Sequence, residues 1–353
     1  MTAQEAIALL KQLIAIPSFS KKEDKTADVL EDFLKERGCP INRAGNNVWV
    51  QNDHYDTQKP TVLLNSHHDT VKPNSGYTKD PFSSQVEDGK LYGLGSNDAG
   101  GPLVSLIATF LHFKSATDLK FNIILAATAE EEISGKNGIE SIIPELGRID
   151  FAIVGEPTLM QLAIAEKGLM VLDCYVHGKA GHAAREEGEN AIYKAWKDIE
   201  WFRTFQFEKE SEMLGKVKMQ VTQIEAGSQH NVVPDTCHFV LDVRATDAYS
   251  LEDTLKIIQD HVDCEVKPRS VRLQPSGIDK GHLILEVAKE LNIETYGSPT
   301  LSDQALMPWS SVKIGPGDSA RSHTADEYIG LYEIEKGIEE YVKIIDKLNG
   351  IWK

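Results

Sequence analysis

The sequence predicts an α/β protein: a larger domain with a mixed, mostly parallel sheet between helices, interrupted by an inserted α+β domain. The insert is read as an antiparallel sheet with two helices on one face. Three observations predict this. Short continuous apolar runs alternate with helical patterns in the first part of the chain, as expected of strands buried on both faces. Near Glu166-Lys167-Gly168 the pattern switches to strict alternation, the mark of a sheet with one exposed face. Beyond about 275 the helix and loop patterns of the first part resume, so the larger domain takes residues 1–168 and 276–353 and the insert 169–275.

The elements follow in order. Residues 2–16 carry apolar side chains at helical spacing and stop at Pro17; a second amphipathic helix runs from about Asp24 to Arg37 and stops at Gly38. Asn47-Val48-Trp49-Val50 and Thr61-Val62-Leu63-Leu64-Asn65 read as strands, the second leading into Ser66-His67-His68-Asp69. A helix over about 102–113 is apolar on most faces, which fits a sandwiched layer. The apolar run 121–127 reads as a buried strand and ends at Glu130-Glu131-Glu132; the strand 151–154 ends at Gly155-Glu156. In the insert, strands over 169–177, 216–225 and 236–244 and a last one after His261 accompany helices over about 189–205 and 251–261. Helices over 281–291 and 331–348 follow, with Ser302-Asp303-Gln304, 315–318 and 322–327 as loops.

Composition narrows the function. The 353 residues include 37 basic and 54 acidic side chains, a formal charge of −17, which disfavours nucleic acid and anionic membrane surfaces as partners. No basic segment followed by an apolar core opens the chain, so a cytoplasmic protein is expected. The four cysteines, at 39, 174, 237 and 264, form no CxxC pair and read as packing residues.

Three adjacent carboxylates at a strand end are costly unless something positive lies among them. Other strand-like runs also end in ligand-type residues, which gives His67, Asp98, Glu132, Glu156 and His323, with Asp69 and Glu131 beside them. His67 and Asp69 are two residues apart on an extended chain and so point the same way, which lets Asp69 orient the His67 ring. The run 93–101 fails as a dinucleotide fingerprint because its sixth position is Asp98; glycines around one carboxylate instead let backbone approach an ion closely. Mixed imidazole and carboxylate donors suit Zn²⁺, Co²⁺ or Mn²⁺. Five are too many for one catalytic zinc and enough for two ions that share Asp98. Glu131, next to Glu132, is then placed to carry a proton as general base.

The segments 66–71, 93–98, 129–132, 155–158 and 322–327, in this order, resemble the motifs of the dinuclear zinc M20 metallopeptidase and deacylase family over essentially the whole chain. The likeness is greatest to its acetylornithine deacetylase branch and extends to succinyl-diaminopimelate desuccinylases. It implies that His67, Asp98 and Glu156 bind one ion and Asp98, Glu132 and His323 the other, zinc first, with Glu131 as base and Asp69 orienting His67. It also implies a lid or dimerisation role for the insert, hence a homodimer. Within the insert it implies that His182 stabilises the oxyanion, from its own or a partner subunit, and that Asn231 and Arg244 bind substrate. Taken without the resemblance, His182 is a solvated turn residue and Arg244 pairs with Asp242 or Asp247.

Two positions depart from the family pattern. Gly100 stands where a lysine is common and Leu94 where an arginine is common. The activity so implied is removal of the acyl group from a small N-acyl amino acid, N-acetylornithine first, a step of arginine biosynthesis. Succinyl-ornithine, succinyl-diaminopimelate and dipeptides are the alternatives, and a metal-dependent binder without turnover is the rival of another class. A serine hydrolase ranks last for want of a GxSxG elbow.

Overall fold

The computed structural model describes residues 1–352, which fall into two compact units. The first comprises Met1–Ile164, Gly277–Tyr296 and the chain from Ser302 on; the second comprises Ala165–Ser276 and Gly297–Leu301. No helix among the described residues is long and apolar enough to cross a membrane.

The first unit is built on a mixed sheet in the order 42–44, 47–51, 122–128, 61–67, 151–154, 311–313, 162–166. The strand Thr61–His67 runs parallel to both Asn122–Thr128 and Phe151–Val154, and Ser311–Lys313 runs parallel to Phe151–Val154. The flanking pairs are antiparallel. Side-chain alternation divides each central strand between two layers. Val62, Leu64, Ile123, Leu125 and Ile153 pack with helices Ala3–Ile14, Asp24–Glu36, Gly101–Phe113 and Leu331–Ile351, while Leu63, Ile124 and Ala152 pack with Ile139–Leu146 on the other face. That two-sided burial is why these strands read as unbroken apolar runs.

The helices begin where their sequences say they should. At Ala3–Ile14, Thr2 Oγ1 accepts from Glu5 N at 3.2 Å and Glu5 returns the contact to Thr2 N at 2.7 Å, a reciprocal cap contributing roughly 1 kcal/mol. Gly101–Phe113 opens with Pro102, whose missing N–H would have no partner in the first turn.

Three very short strands matter more than their length. Tyr328–Gly330 pairs antiparallel with Lys90–Tyr92, which pairs with Val86–Glu87. This ribbon brings the loop after Tyr92 beside the loop before Tyr328.

The second unit holds an antiparallel sheet in the order 218–226, 236–245, 168–177, 265–268. Met170, Leu172, Cys174 and Val176 face helices Ala191–Thr204 and Leu251–His261, and the residues between them lie on the open face. All four cysteines are buried thiols without disulfides.

Candidate metal centre

In the parallel part of the sheet His67 lies level with Thr128, and Asn65 with Val154. The carboxyl ends of three strands therefore open on one edge, the usual place for a site in such a sheet. His67 closes its strand, Glu130, Glu131 and Glu132 follow Thr128, and Glu156 follows Val154. Asp98 enters from the glycine-rich loop after Tyr92, and His323 from the loop before Tyr328, brought together by the ribbon described above.

The five side chains singled out from sequence converge. His67 Nε2 lies 3.3 Å from Asp98 Oδ1 and 3.7 Å from Glu156 Oε1. His323 Nε2 lies 2.9 Å from Glu132 Oε2 and 3.7 Å from Asp98 Oδ2. The two oxygens of Asp98 thus face two different imidazoles. Glu131 Oε2 is 3.8 Å from His67 Nε2, almost as close as Glu156, so distance alone does not separate a base from a ligand. His67, Glu131 and Glu156 form one group able to hold an ion, and His67, Asp98 and Glu132 another.

Electrostatics explain why such a cluster wants cations. Burial first, then the charges of Asp98 and Glu132, push Glu156 up to about 8 against the pull of His67. Burial likewise raises Glu131, with Glu156, Glu132 and Asp303 adding to it, and raises Glu132, with Asp98 adding. Burial pulls the His67 imidazole down, yet Glu131, Asp69, Asp98 and Glu156 hold it well above its ordinary value. Hydrogen bonding to Glu132 lifts His323 to about 9. Protons are standing in here for positive charge, and a divalent pair among hard and borderline donors meets the same demand. The donor set therefore fits two such ions.

Asp69 does more than orient one ring. His67 Nδ1 lies 3.0 Å from the Asp69 carbonyl and 3.4 Å from its Oδ1. The same carboxylate accepts from the backbone N–H of Glu131 at 3.0 Å and of Glu132 at 3.2 Å, and from Ser20 Oγ at 2.7 Å. One buried acid ties the histidine to the acidic turn. Glu130 turns away, its carboxylate accepting from Asn137 Nδ2 at 2.9 Å. His68, on the opposite side of its strand, lies 2.9 Å from Thr26 Oγ1 and 2.8 Å from the Asn46 carbonyl, and burial lowers it to about 4.

Sequence reasoning missed Asp303. It is 3% exposed, takes a 2.7 Å hydrogen bond from Thr128 Oγ1, and is raised to about 6 by burial and then by Asp69. A lone acid in a polar loop carries no sequence signal that separates it from a solvated one.

The remaining predicted residues lie in the second unit. His182 and Asn231 are neighbours there: Gly181–His182 pairs with Val232–Val233, and Ala183 N donates to the Asn231 carbonyl at 3.0 Å. His182 is exposed, and its Nδ1 accepts from Ala184 N at 3.1 Å. Arg244 forks onto Asp242 at 2.9 and 3.1 Å, the neighbouring-acid pairing expected when the resemblance is set aside.

The family described as "Peptidase family M20/M25/M40" matches residues 63–347. The chain is 27% identical over 270 residues to a succinyl-diaminopimelate desuccinylase of Rickettsia bellii, covering 71% of this chain and 69% of that one. It is 26% identical over 351 residues to the Corynebacterium glutamicum protein of the same name, covering 94% and 93%. Its fold matches a dinuclear metal-binding M20 peptidase of Bacillus subtilis with a TM-score of 0.73 at 16% identity, over 97% of both chains.

Proposed function

Because the chain belongs to peptidase family M20/M25/M40, a family of metallohydrolases, we propose that it hydrolyses the amide of a small N-succinyl amino acid with two divalent cations. The observation that carries the two-cation reading is Asp98, whose two oxygens face His67 and His323 respectively. His67, Asp98 and Glu156 would hold one ion and Asp98, Glu132 and His323 the other, zinc before cobalt or manganese. When bound, such a pair lowers the pKa of water and polarises a carbonyl.

The chain's own residues supply the rest. Glu131 takes the proton of the attacking water and returns it to the leaving nitrogen. Asp69 holds Glu131 and Glu132 in register through their backbone N–H groups. The roles of His182 as donor to the oxyanion and of Asn231 and Arg244 as substrate contacts rest on family likeness. For Arg244 the role means exchanging Asp242 for a substrate carboxylate, a fork-to-fork swap that keeps the guanidinium paired. We assign the second unit a homodimer contact. In support, Tyr193 and Trp196 stand 78% and 68% exposed on one helix, a costly surface for a monomer.

Succinyl is placed before acetyl because the two curated relatives above bear a succinyl substrate in their names. Acetyl-ornithine, and with it a place in arginine biosynthesis, becomes the competing arm. The test is a competition among succinyl-ornithine, succinyl-diaminopimelate, acetyl-ornithine and a dipeptide, with zinc or cobalt supplied. A succinyl amide should lead in kcat/KM by at least about tenfold, the discrimination that one buried charge contact of roughly 1.4 kcal/mol provides. Preference for the acetyl compound or the dipeptide refutes the succinyl assignment, and no turnover of any of the four refutes the enzyme.

A further inference from the structure

We propose that Glu327 is a positioning residue that sets Asp98 and His323 as one rigid part, and that Asn74 braces the same part from the outside. The inference rests on the reading that Asp98, Glu132 and His323 hold one of two cations.

Glu327 is 2% exposed. Its carboxylate accepts three main-chain N–H groups of the loop that presents Asp98: Gly95 at 3.1 Å, Asn97 at 2.8 Å and Asp98 itself at 2.9 Å. Its own carbonyl accepts from Gly93 N at 3.0 Å. A single residue therefore holds that loop at both ends, and it belongs to the loop that carries His323. The ribbon of Lys90–Tyr92 with Tyr328–Gly330 delivers both loops to this point.

The outer face is stitched as well. His323 has φ of 60°, a left-handed conformation that is uncommon outside glycine. Asn74 Nδ2 donates to the His323 carbonyl at 3.2 Å, and Asn74 Oδ1 accepts from Gly76 N at 2.9 Å. Asp326 accepts from the backbone of Thr78 and Lys79, each at 2.9 Å. The loop 74–79 is thus a strap across the back of His323. Neither Glu327 nor Asn74 offers an atom to a cation in the arrangement above; Glu327 acts through the backbone of Asp98 and Asn74 through that of His323. Such outer contacts typically alter metal affinity by about 10–100-fold.

The experiment titrates metal-free wild type, Glu327→Gln and Asn74→Ala with cadmium, read by cadmium NMR and by competition with a chromophoric chelator. Circular dichroism of each metal-free chain serves as the folding control. Gln keeps the size of Glu327 but turns an N–H toward main-chain donors. Wild type should show two resonances. Asn74→Ala should shift one of them and weaken that ion by about 10–100-fold, leaving the other as in wild type. Glu327→Gln should disturb that same resonance most strongly, in a chain folded as wild type. Both variants binding two ions with wild-type spectra and affinity would overturn the proposal, as would the two variants disturbing different resonances. If Glu327→Gln does not fold, Asn74→Ala decides alone. A single resonance from wild type refutes the two-cation reading itself, and the inference falls with it.

Discussion

Replacing Glu131 by Gln separates the two roles that distance leaves open for it. The side chains are nearly isosteric, and the backbone of residue 131 stays anchored on Asp69 Oδ1 at 3.0 Å, so the turn is retained. If Glu131 moves protons, the variant loses the 10²–10⁴-fold that a positioned acid–base group contributes, about 3–5.5 kcal/mol of barrier. Metal content then stays at two ions per chain. If Glu131 is instead a ligand, the consequence is different. A carboxylate brings a charge to a cation that a carboxamide does not, so the variant then loses one ion. The assay pairs steady-state kinetics with metal analysis after dialysis against a weak chelator. Two retained ions with turnover lost supports the base; one ion lost, or turnover within tenfold of wild type, refutes it.

Other perturbations have equally definite outcomes. In the metal-free chain Glu156 keeps its proton up to about 8, whereas an unfolded glutamate loses it near 4.5, so folding loses ground as pH rises through that window. His323, raised to about 9, contributes stability that is full below its unfolded value of 6.5 and lost as pH climbs through 9. Both act in one direction: the Tm of metal-free protein should fall from pH 6 to 9 and that of zinc-loaded protein should fall less, and calorimetry showing parallel profiles would contradict this. Restoring the family lysine with Gly100→Lys should lower Tm, by roughly 1–3 kcal/mol of stability, because a Cβ there would meet the Gly95 carbonyl oxygen at 2.4 Å and Leu10 Cδ1 at 2.5 Å. A Tm equal to wild type would show that the loop yields freely. Trp196→Glu should shift sedimentation from dimer to monomer with its circular dichroism unchanged, and an unshifted dimer removes that helix from the contact.

Much of this architecture could be read from sequence because the informative strands are buried on both sides. Thr61–His67, Asn122–Thr128 and Phe151–Val154 leave no room for polar alternation, so each announces itself as an apolar run with a ligand-type residue at or just past its end. The insert was legible for the opposite reason: residues 168–177 alternate buried and half-buried positions almost without a break. What stayed hidden were elements too short to have a period. Lys90–Tyr92, Ser311–Lys313 and Tyr328–Gly330 span three residues each, and their pairing is decided by distant chain. Without that pairing, Glu327 reads as the last letter of a motif and Asp303 as a solvated loop acid. The double duty of Asp69 was half visible, since spacing showed its relation to His67 but not its grip on the acidic turn.

The strand Ser311–Lys313 lies between Phe151–Val154 and Leu162–Glu166. During synthesis the ribosome therefore makes the two neighbours long before the piece that belongs between them, and the stretch Ala165–Ser276 emerges whole in the meantime. Until Ser311–Lys313 arrives, the edge of Phe151–Val154 that it covers stays unpaired, a row of open N–H and C=O groups prone to mispairing with other nascent chains. His323 emerges later still, so the proposed set of Asp98, Glu132 and His323 is complete only near the end of synthesis, whereas His67, Asp98, Glu131, Glu132 and Glu156 are all made before residue 160.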